Sequence, residues 1–289
     1  MLKLALATCS TQPDLFAGEQ LLPDALRALA CDVDIRVWDG AAVDWQAYDA
    51  VLIRCTWDYY EKFEVFLAWL DFLECHHIKV INDIATLRWN LNKQYLFELT
   101  QKGLPLIPTQ LLRPDDQRSL SELIDFMAHD EIILKPVQSA GAWRTLRVNR
   151  DNAVALAADF ELWRKEQNFL LQPFMSEVID SGEWSLIFFN GEFSHAVIKH
   201  AKQGDFRVQS DHGGTVQAII APMLMRQQAQ AILFSLPKLP CYARVDGILR
   251  DKQFLLMELE LVEPELFLEI EADAPARLAA AIIRHCAIF

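Results

Sequence analysis

The stretch Tyr242 to Glu263, YARVDGILRDKQFLLMELELVE, alternates in the manner of two β-strands. Side chains two apart on a strand share a face. Arg244 and Asp246 therefore point one way from the first strand, and Glu258 and Glu260 share a face of the second, while Met257, Leu259 and Leu261 fill the other. The connecting Arg250-Asp251-Lys252-Gln253 has no glycine for a tight two-residue turn, so a longer, odd-numbered loop is expected. In an unbulged pair that parity sets Asp246 opposite Glu258, and a slip of one residue would undo it. Two carboxylates about 5 Å apart at an effective dielectric near 20 repel by roughly 3 kcal/mol, so three sheltered acids need more cations than Arg244. Hard divalent ions completed by phosphate oxygens are the usual neutraliser, which points to magnesium, or manganese in its place, with a nucleotide. A solvated acidic face would show the same alternation, so the rest of the chain has to decide.

At 289 residues the chain can bury a large core, and its length fits two domains. A net charge of −13, from 27 Lys plus Arg against 40 Asp plus Glu, argues against nucleic acid and anionic membrane as partners. An anionic ligand would need a local basic pocket. The six cysteines are scattered, with no CxxC and no Cys/His spacing suited to zinc, and are expected to be buried free thiols. The opening MLKLALATCSTQPD has too short an apolar run for a signal peptide and no uncharged run of spanning length follows, so a reducing cytoplasm fits.

Strands at Leu2–Ala7, Val33–Trp38, Tyr48–Arg54 and Lys79–Ile81 alternate with helices at Glu19–Ala30 and Glu61–Glu74, which predicts a small Rossmann-like parallel sheet. The turn after the first strand lacks the glycines that let backbone approach a pyrophosphate, against a dinucleotide site. Ligands of open α/β sheets sit beyond the carboxyl ends of the strands, where Arg54, Trp57, Asp58 and Tyr59 follow the third. These are candidates for a substrate pocket, Arg54 for a carboxylate and Asp58 for an amine; the alternative is that the aromatics pack under a loop while Arg54 pairs with Asp58. The helix with Phe66, Trp69 and Phe72 is apolar around most of its circumference, either deeply buried or a contact between copies of the chain in a homo-oligomer.

A helical connector from Asp83 to Lys102 breaks at Asn90-Leu91-Asn92, with Lys93 in the restarted first turn, where the helix dipole opposes a lysine unless an anion joins it. A helix at Leu120–Met127 is followed by a strand at Glu131–Lys135, a small-residue loop Ser139-Ala140-Gly141-Ala142 and a returning strand at Trp143–Val148. Such a hairpin can fold N–H groups over phosphates with Lys135 as the cation beneath. A helix at Asn152–Trp163, a strand at Phe169–Gln172 ended by Pro173, and a hairpin of Glu183–Phe189 and Glu192–Lys199 turning at Asn190-Gly191 follow. Lys199, His200, Lys202 and Arg207 add cations, Asp211-His212-Gly213-Gly214 a second flexible loop, and helices at Met225–Leu236 and Pro275–Ala287 flank the acidic pair.

This order of elements resembles the ATP-grasp superfamily, near the glutathione synthetase and ribosomal-protein-glutamate ligase branch, from about residue 83 to 269. The resemblance implies an α/β fold with a Rossmann-like domain at 1–83, a connector at 84–118, a central grasp lobe at 119–175 and a C-terminal lobe with the metal site at 176–289. By position it implies Lys93 and Lys135 as phosphate ligands and Ser139, Ala140 and Gly141 as the phosphate-covering loop. Gln172, Pro173 and Phe174 match the hinge whose backbone reads adenine, and Glu183 the acid on the ribose. Lys199 matches a phosphate ligand, Arg244 the arginine steadying the transferring group, and Asp246, Glu258 and Glu260 the metal ligands. Arg54, Trp57, Asp58, Arg207, Gly213 and Gly214 fall at the substrate end. Many relatives have Glu-x-Asn where this chain has Glu258-Leu259-Glu260, a change that adds negative charge. Through Arg54-x-x-Trp57-Asp58-Tyr59, Gly182-Glu183-x-Ser185, His195–Lys199 and Tyr242–Pro264 the chain resembles more closely the ATP-grasp ligases that close the cycloserine ring.

The resulting expectation is an ATP-dependent ligase of a small substrate with a carboxylate and an amine, acting through an acyl phosphate with ATP and Mg²⁺ as cofactors. A nucleotide-binding module without turnover and a kinase on the same grasp are the alternatives.

Overall fold

In the computed structural model, residues 1–139, 141–209 and 212–287 are described; Ala140 and Asp211, both in predicted loops, lie outside them. The first sheet is parallel, ordered β2-β1-β3-β4, from β1 (Lys3–Thr8), β2 (Asp32–Val37), β3 (Ala50–Cys55) and β4 (Val80–Ile81). Every residue of β3 is buried, as a strand covered on both faces requires. Leu4 and Leu6 pack with Leu22 and Leu26 of α1 (Leu21–Ala28), while Ala5 and Ala7 face Phe66 and Leu70 of α2 (Phe63–Cys75). The apolar helix thus belongs to the core along Phe66, Trp69, Leu70 and Leu73, leaving Val65 and Phe72 exposed.

The connector is α3 (Ile84–Asn90), capped by the Asp83 carboxylate accepting from Thr86 N–H, and α4 (Tyr95–Gln101). Lys93 lies in the break, not in the restarted turn, and its N–H donates to Val137 O across 2.7 Å, tying it to the central lobe. That lobe comprises β5 (Gln110–Leu112), α5 (Leu120–Met127), β6 (Glu131–Pro136), β7 (Leu146–Asn149), α6 (Ala153–Trp163) and β8 (Phe169–Pro173), its antiparallel sheet ordered β5-β8-β6-β7. The last lobe holds α7 (Glu177–Asp180), β9 (Glu183–Phe189), β10 (Glu192–His200), β11 (Thr215–Ala218), α8 (Met223–Phe234), β12 (Tyr242–Arg250), β13 (Gln253–Glu260) and α9 (Ala274–Ala287). Its sheet runs β11-β10-β9-β12-β13, all antiparallel. The sequence reading expects a helix and a strand within 84–118, and β5 lies in that span; β11 is absent from the reading.

The acidic ribbon keeps the expected register by a different route. Arg250 pairs with Gln253, so the turn has only two residues, Asp251 and Lys252, both at positive φ (51° and 66°). A two-residue turn alone would set Asp246 opposite Met257. A one-residue bulge between Asp246 and Gly247 restores the pairing of Asp246 with Glu258 and of Arg244 with Glu260. Gly247 makes the bulge feasible, because a Cβ there would lie 2.3 Å from Leu255 O and 2.6 Å from the Phe254 ring. An isolated glycine inside a strand pattern is the sequence signal of such a bulge.

Strand β13 is the edge of its sheet, yet its backbone is not left to water. Asn90 donates to Leu259 O and accepts from Leu261 N–H, both at 2.8 Å, and the Tyr95 hydroxyl does the same with Leu259 O and N–H. Asn82 likewise donates to Tyr242 O and Leu261 O and accepts from Cys241 N–H. The ribbon is therefore clamped along the connector, and Tyr242, Phe189 and Ile187 share one buried cluster with Leu4, Leu52 and Leu278. Four cysteines are buried as expected, but Cys75, on the outer turn of α2, is exposed and Cys286 is half-buried.

Candidate active site

Between the lobes lies a cavity of about 510 Å³. One end is lined by Lys93, Lys135, Ser139, Gly141, Gln172, Pro173, Phe174, Glu183 and Lys199, and the cavity continues past Arg244, Glu258 and Glu260 to Phe16, Trp57, Tyr59, Glu263 and Glu265. Elements more than a hundred residues apart in sequence thus meet in one cavity.

The ionic face of the ribbon is tied by cations from four elements. Glu258 pairs with Lys93 of the connector break; Glu260 pairs with Arg244 at 2.5 Å. Arg244 also donates through Nε to both oxygens of Asp246, at 3.1 and 3.0 Å, and through Nη1 to Glu265 O. Lys199 sits 2.5 Å from Glu183, directly opposite it across β9 and β10, and 3.5 Å from Asp246. Ser185, two residues after Glu183 on the same strand face, donates to Asp246 at 2.5 Å. Lys135 reaches the ribbon through Met257 O at 3.3 Å, the carbonyl that the bulge turns outward.

These contacts set the charges. Burial alone would push the Glu258 carboxyl up, but Lys93 and Lys135 beside it hold it down at about 2. Lys93 and Lys199 are raised because their carboxylate partners outweigh burial, whereas Lys135, sharing its surroundings with Lys93, is lowered by burial. Burial and crowding by like charge carry Glu260 to about 7 and Glu263 to about 8, while burial carries Glu265 to about 7. Glu263 shares a hydrogen bond with the Tyr59 hydroxyl.

At the adenine hinge, Pro173 and Phe174 line the cavity and the Arg147 guanidinium covers the Phe174 ring at 3.7 Å. The Phe174 N–H is already given to Glu131 O, and the Gln172 side chain to Thr109, so these groups hold the hinge rather than face a base. In the phosphate loop, the Ser139 hydroxyl donates to Pro136 O, and Gly141 has open space around its Cβ direction. Ala140 belongs to the undescribed residues.

The substrate candidates divide. Trp57 lines the cavity and donates to Glu263 O at 3.0 Å, and Arg207 lines it while chelating Asp205. Arg54 does not line it. This guanidinium, 1% exposed, is bidentate to Glu19 at 2.8 and 2.7 Å and donates to Pro264 O, behind the wall of the cavity. Asp58 accepts from the Trp38 indole and pairs with Lys62, not with Arg54. Neither Arg54 nor Asp58 is therefore placed to touch a substrate. The β3 terminus does point at the cleft, but Arg54 still belongs to the buried strand and Glu19, on the other side, takes its charge. Gly213 and Gly214 do not line the cavity either; a Cβ on Gly214 would lie 2.1 Å from Val208 O, so that glycine serves the loop's own packing.

Glu265, which lines the cavity, and Tyr95, which holds the ribbon backbone, are missing from the sequence reading, while Asn90 and Ser185 are quoted there only within a helix break and the motif Gly182-Glu183-x-Ser185, without the role of holding the ribbon and Asp246.

Among the described residues no three His, Cys, Asp or Glu side chains stand close enough to hold a metal as they are. The donor chemistry nevertheless fits a hard divalent ion. Six carboxyls (Glu183, Asp246, Glu258, Glu260, Glu263, Glu265) meet four cations (Lys93, Lys135, Lys199, Arg244), and like charge adds to burial in raising Glu260 and Glu263.

Comparison with known proteins gives the family. Residues 4–82 match the N-terminal domain of the D-cycloserine synthetase DcsG, and residues 99–238 match the ATP-grasp domain of prokaryotic glutathione synthetase. The cycloserine biosynthesis protein DcsG of Streptomyces lavendulae is 30% identical over 295 residues, covering 96% of this chain and 97% of that protein. The crystal structure of D-cycloserine synthetase DcsG superposes with a TM-score of 0.87 at 28% identity, over 98% of this chain and 99% of the other. D-alanine–D-alanine ligase from Bacillus anthracis, 15% identical, shares the fold with a TM-score of 0.71 over 100% of this chain and 98% of its own. With sequence, fold and an acid-and-lysine cleft in agreement over nearly its whole length, the chain belongs to the ATP-grasp ligases, in the family of DcsG, and is an ATP-dependent carboxylate–amine ligase.

Proposed function

We propose that the protein phosphorylates the carboxylate of a small amino acid with ATP and passes the acyl group to a nitrogen nucleophile, within the same molecule as in cycloserine ring closure or from a second one. The observation that supports this most directly is the convergence of Lys93, Lys135, Lys199 and Arg244 with Glu258 and Glu260 along one cavity, with Asp246 paired to Lys199 and Arg244 beside it. Lys93, Lys135 and Lys199 would take the phosphates, and Glu183 the ribose. Asp246, Glu258 and Glu260 would hold magnesium, which when bound supplies charge neutralisation at the transferring phosphoryl group.

The chain's own part is positioning and electrostatics. Arg244, at the boundary between the nucleotide and substrate ends, is placed to hold the γ-phosphoryl oxygens while the substrate carboxylate attacks phosphorus and ADP departs. The nitrogen then attacks the acyl carbon, phosphate leaves, and the nitrogen's proton passes to a base. Glu263 and Glu265, which line the cavity beside Trp57 and Phe16, would serve as that base. The aromatic wall of Phe16, Trp57 and Tyr59 keeps water from the acyl phosphate.

The test is phosphate release from MgATP with pools of amino acids, including O-substituted serines, for the wild type and for Asp246→Asn. The expected outcome is pool-dependent release that falls about 10²–10³-fold in the variant, the usual cost of one transition-state electrostatic contact. No release with any pool, or release indifferent to the substitution, would overturn the reading.

A further inference from the structure

The acids and cations of the cleft are paired with one another. Each acid assigned to the metal is held by a cation assigned to the nucleotide: Glu258 by Lys93, Glu260 by Arg244, and Asp246 by Arg244 and Lys199. Lys135 is different; among the described residues its ammonium hydrogen-bonds to a backbone carbonyl and forms no ion pair, so it can accept phosphate without breaking one. Burial makes the exchange one-sided, since the Lys93 and Glu258 side chains are 14% and 26% exposed and Lys199 and Asp246 only 6% and 3%. Removing one partner of such a pair leaves the other charged and poorly solvated. A phosphate that draws Lys93 away would strand Glu258, and a metal that draws Glu258 away would strand Lys93.

We propose that Lys93 and Glu258 form an interlock that couples metal and triphosphate binding, so that each ligand alone must break the pair unaided and only the two together satisfy both side chains. The idea rests on the nucleotide reading of the cleft given above, and goes beyond it by assigning the pair a role in the order of binding. Magnesium and ATP associate in water in any case, so the distinguishing result lies in what each half of the pair does when the other is removed.

The experiment is equilibrium titration of the full chain with ATP in excess EDTA and, separately, with Mn²⁺ in the absence of nucleotide. With Glu258→Gln, Lys93 is released, and metal-free ATP is expected to bind about 10-fold more tightly than to the wild type, within the range of site-to-site couplings. With Lys93→Met, Glu258 is released, and Mn²⁺ alone is expected to bind about 10-fold more tightly, although MnATP binds more weakly. Both variants are thus expected to gain affinity for one ligand, which a misfolded protein cannot do. Unchanged or weaker binding of metal-free ATP by Glu258→Gln, or of Mn²⁺ by Lys93→Met, overturns the interlock while leaving the ligase reading intact. Failure of the wild type to bind MgATP at all would overturn both, and is told apart by that single control.

Discussion

Two buried ionic clusters lie on either side of the same wall. Arg54 and Glu19 form a closed pair, both about 1% exposed, whose remaining hydrogen bonds go to Pro264 O and Leu266 N–H. Glu183, Glu258, Glu260, Glu263 and Glu265, with Asp246 buried beside Lys199, form with Lys93, Lys135, Lys199 and Arg244 an open cluster along a cavity that carries more acid than base. The wall between them is the segment Val262–Leu266, and side chains hold each of its carbonyls in turn: Tyr242, Trp57, Arg54, Arg244 and His195. A balanced ion pair closed off from the cavity is a structural device, even with Arg54 Nη1 left without a hydrogen-bond partner among the described residues; an unbalanced one lining the cavity is a binding device. Burial alone does not separate them.

The largest effect that would test this contrast is on the closed side. Arg54→Met leaves Glu19 charged and unpaired, and a loss of about 3–5 kcal/mol in unfolding free energy is expected from denaturant titration. A small change there, with loss of substrate affinity instead, would return Arg54 to the substrate site. On the open side, Tyr95→Phe removes both bonds to Leu259 while keeping the ring, and is expected to cost about 1–3 kcal/mol because a buried N–H and C=O lose their partner.

The surplus of acid predicts a pH dependence that the closed pair cannot give. Glu263, at about 8, and Glu265, at about 7, sit above their ordinary value because of burial, so the folded state holds protons the unfolded chain has released. Stability from these groups is present below about pH 4.5 and is lost as pH rises through 7 to 8. Glu263→Gln should therefore raise the Tm of the ligand-free protein relative to wild type at pH 8 and not at pH 5; an equal shift at both would break the prediction. The smallest effect concerns the ribbon's turn, where Lys252→Gly relieves a positive φ and is expected to add about 1 kcal/mol without altering the register, as read by thermal melting.

How much of this was legible beforehand differs from residue to residue. The pairing of Asp246 with Glu258 was read correctly from strand alternation, although the compensation of a two-residue turn by a bulge was not, because Lys252 at positive φ defies local preference and Gly247 was not taken as a bulge marker. The Asn190-Gly191 hairpin was read directly: both residues are at positive φ, with Phe189 pairing with Glu192. Arg54 and Asp58 misled because strand topology shows where a terminus points but not which neighbour claims a side chain. Glu19, the claimant, lies 35 residues upstream in a 3₁₀ turn with no motif of its own.

The sequence by itself determined the periodicities, hence the strands and helices, the ionic face of the ribbon and the order of elements that marks an ATP-grasp ligase, since these depend on neighbours two to four positions apart. Only the tertiary structure decided which charges are spent and which are free. Lys93 meets Glu258 across 165 residues and Arg54 meets Pro264 across 210, and the energy of a buried charge is set by what surrounds it in space.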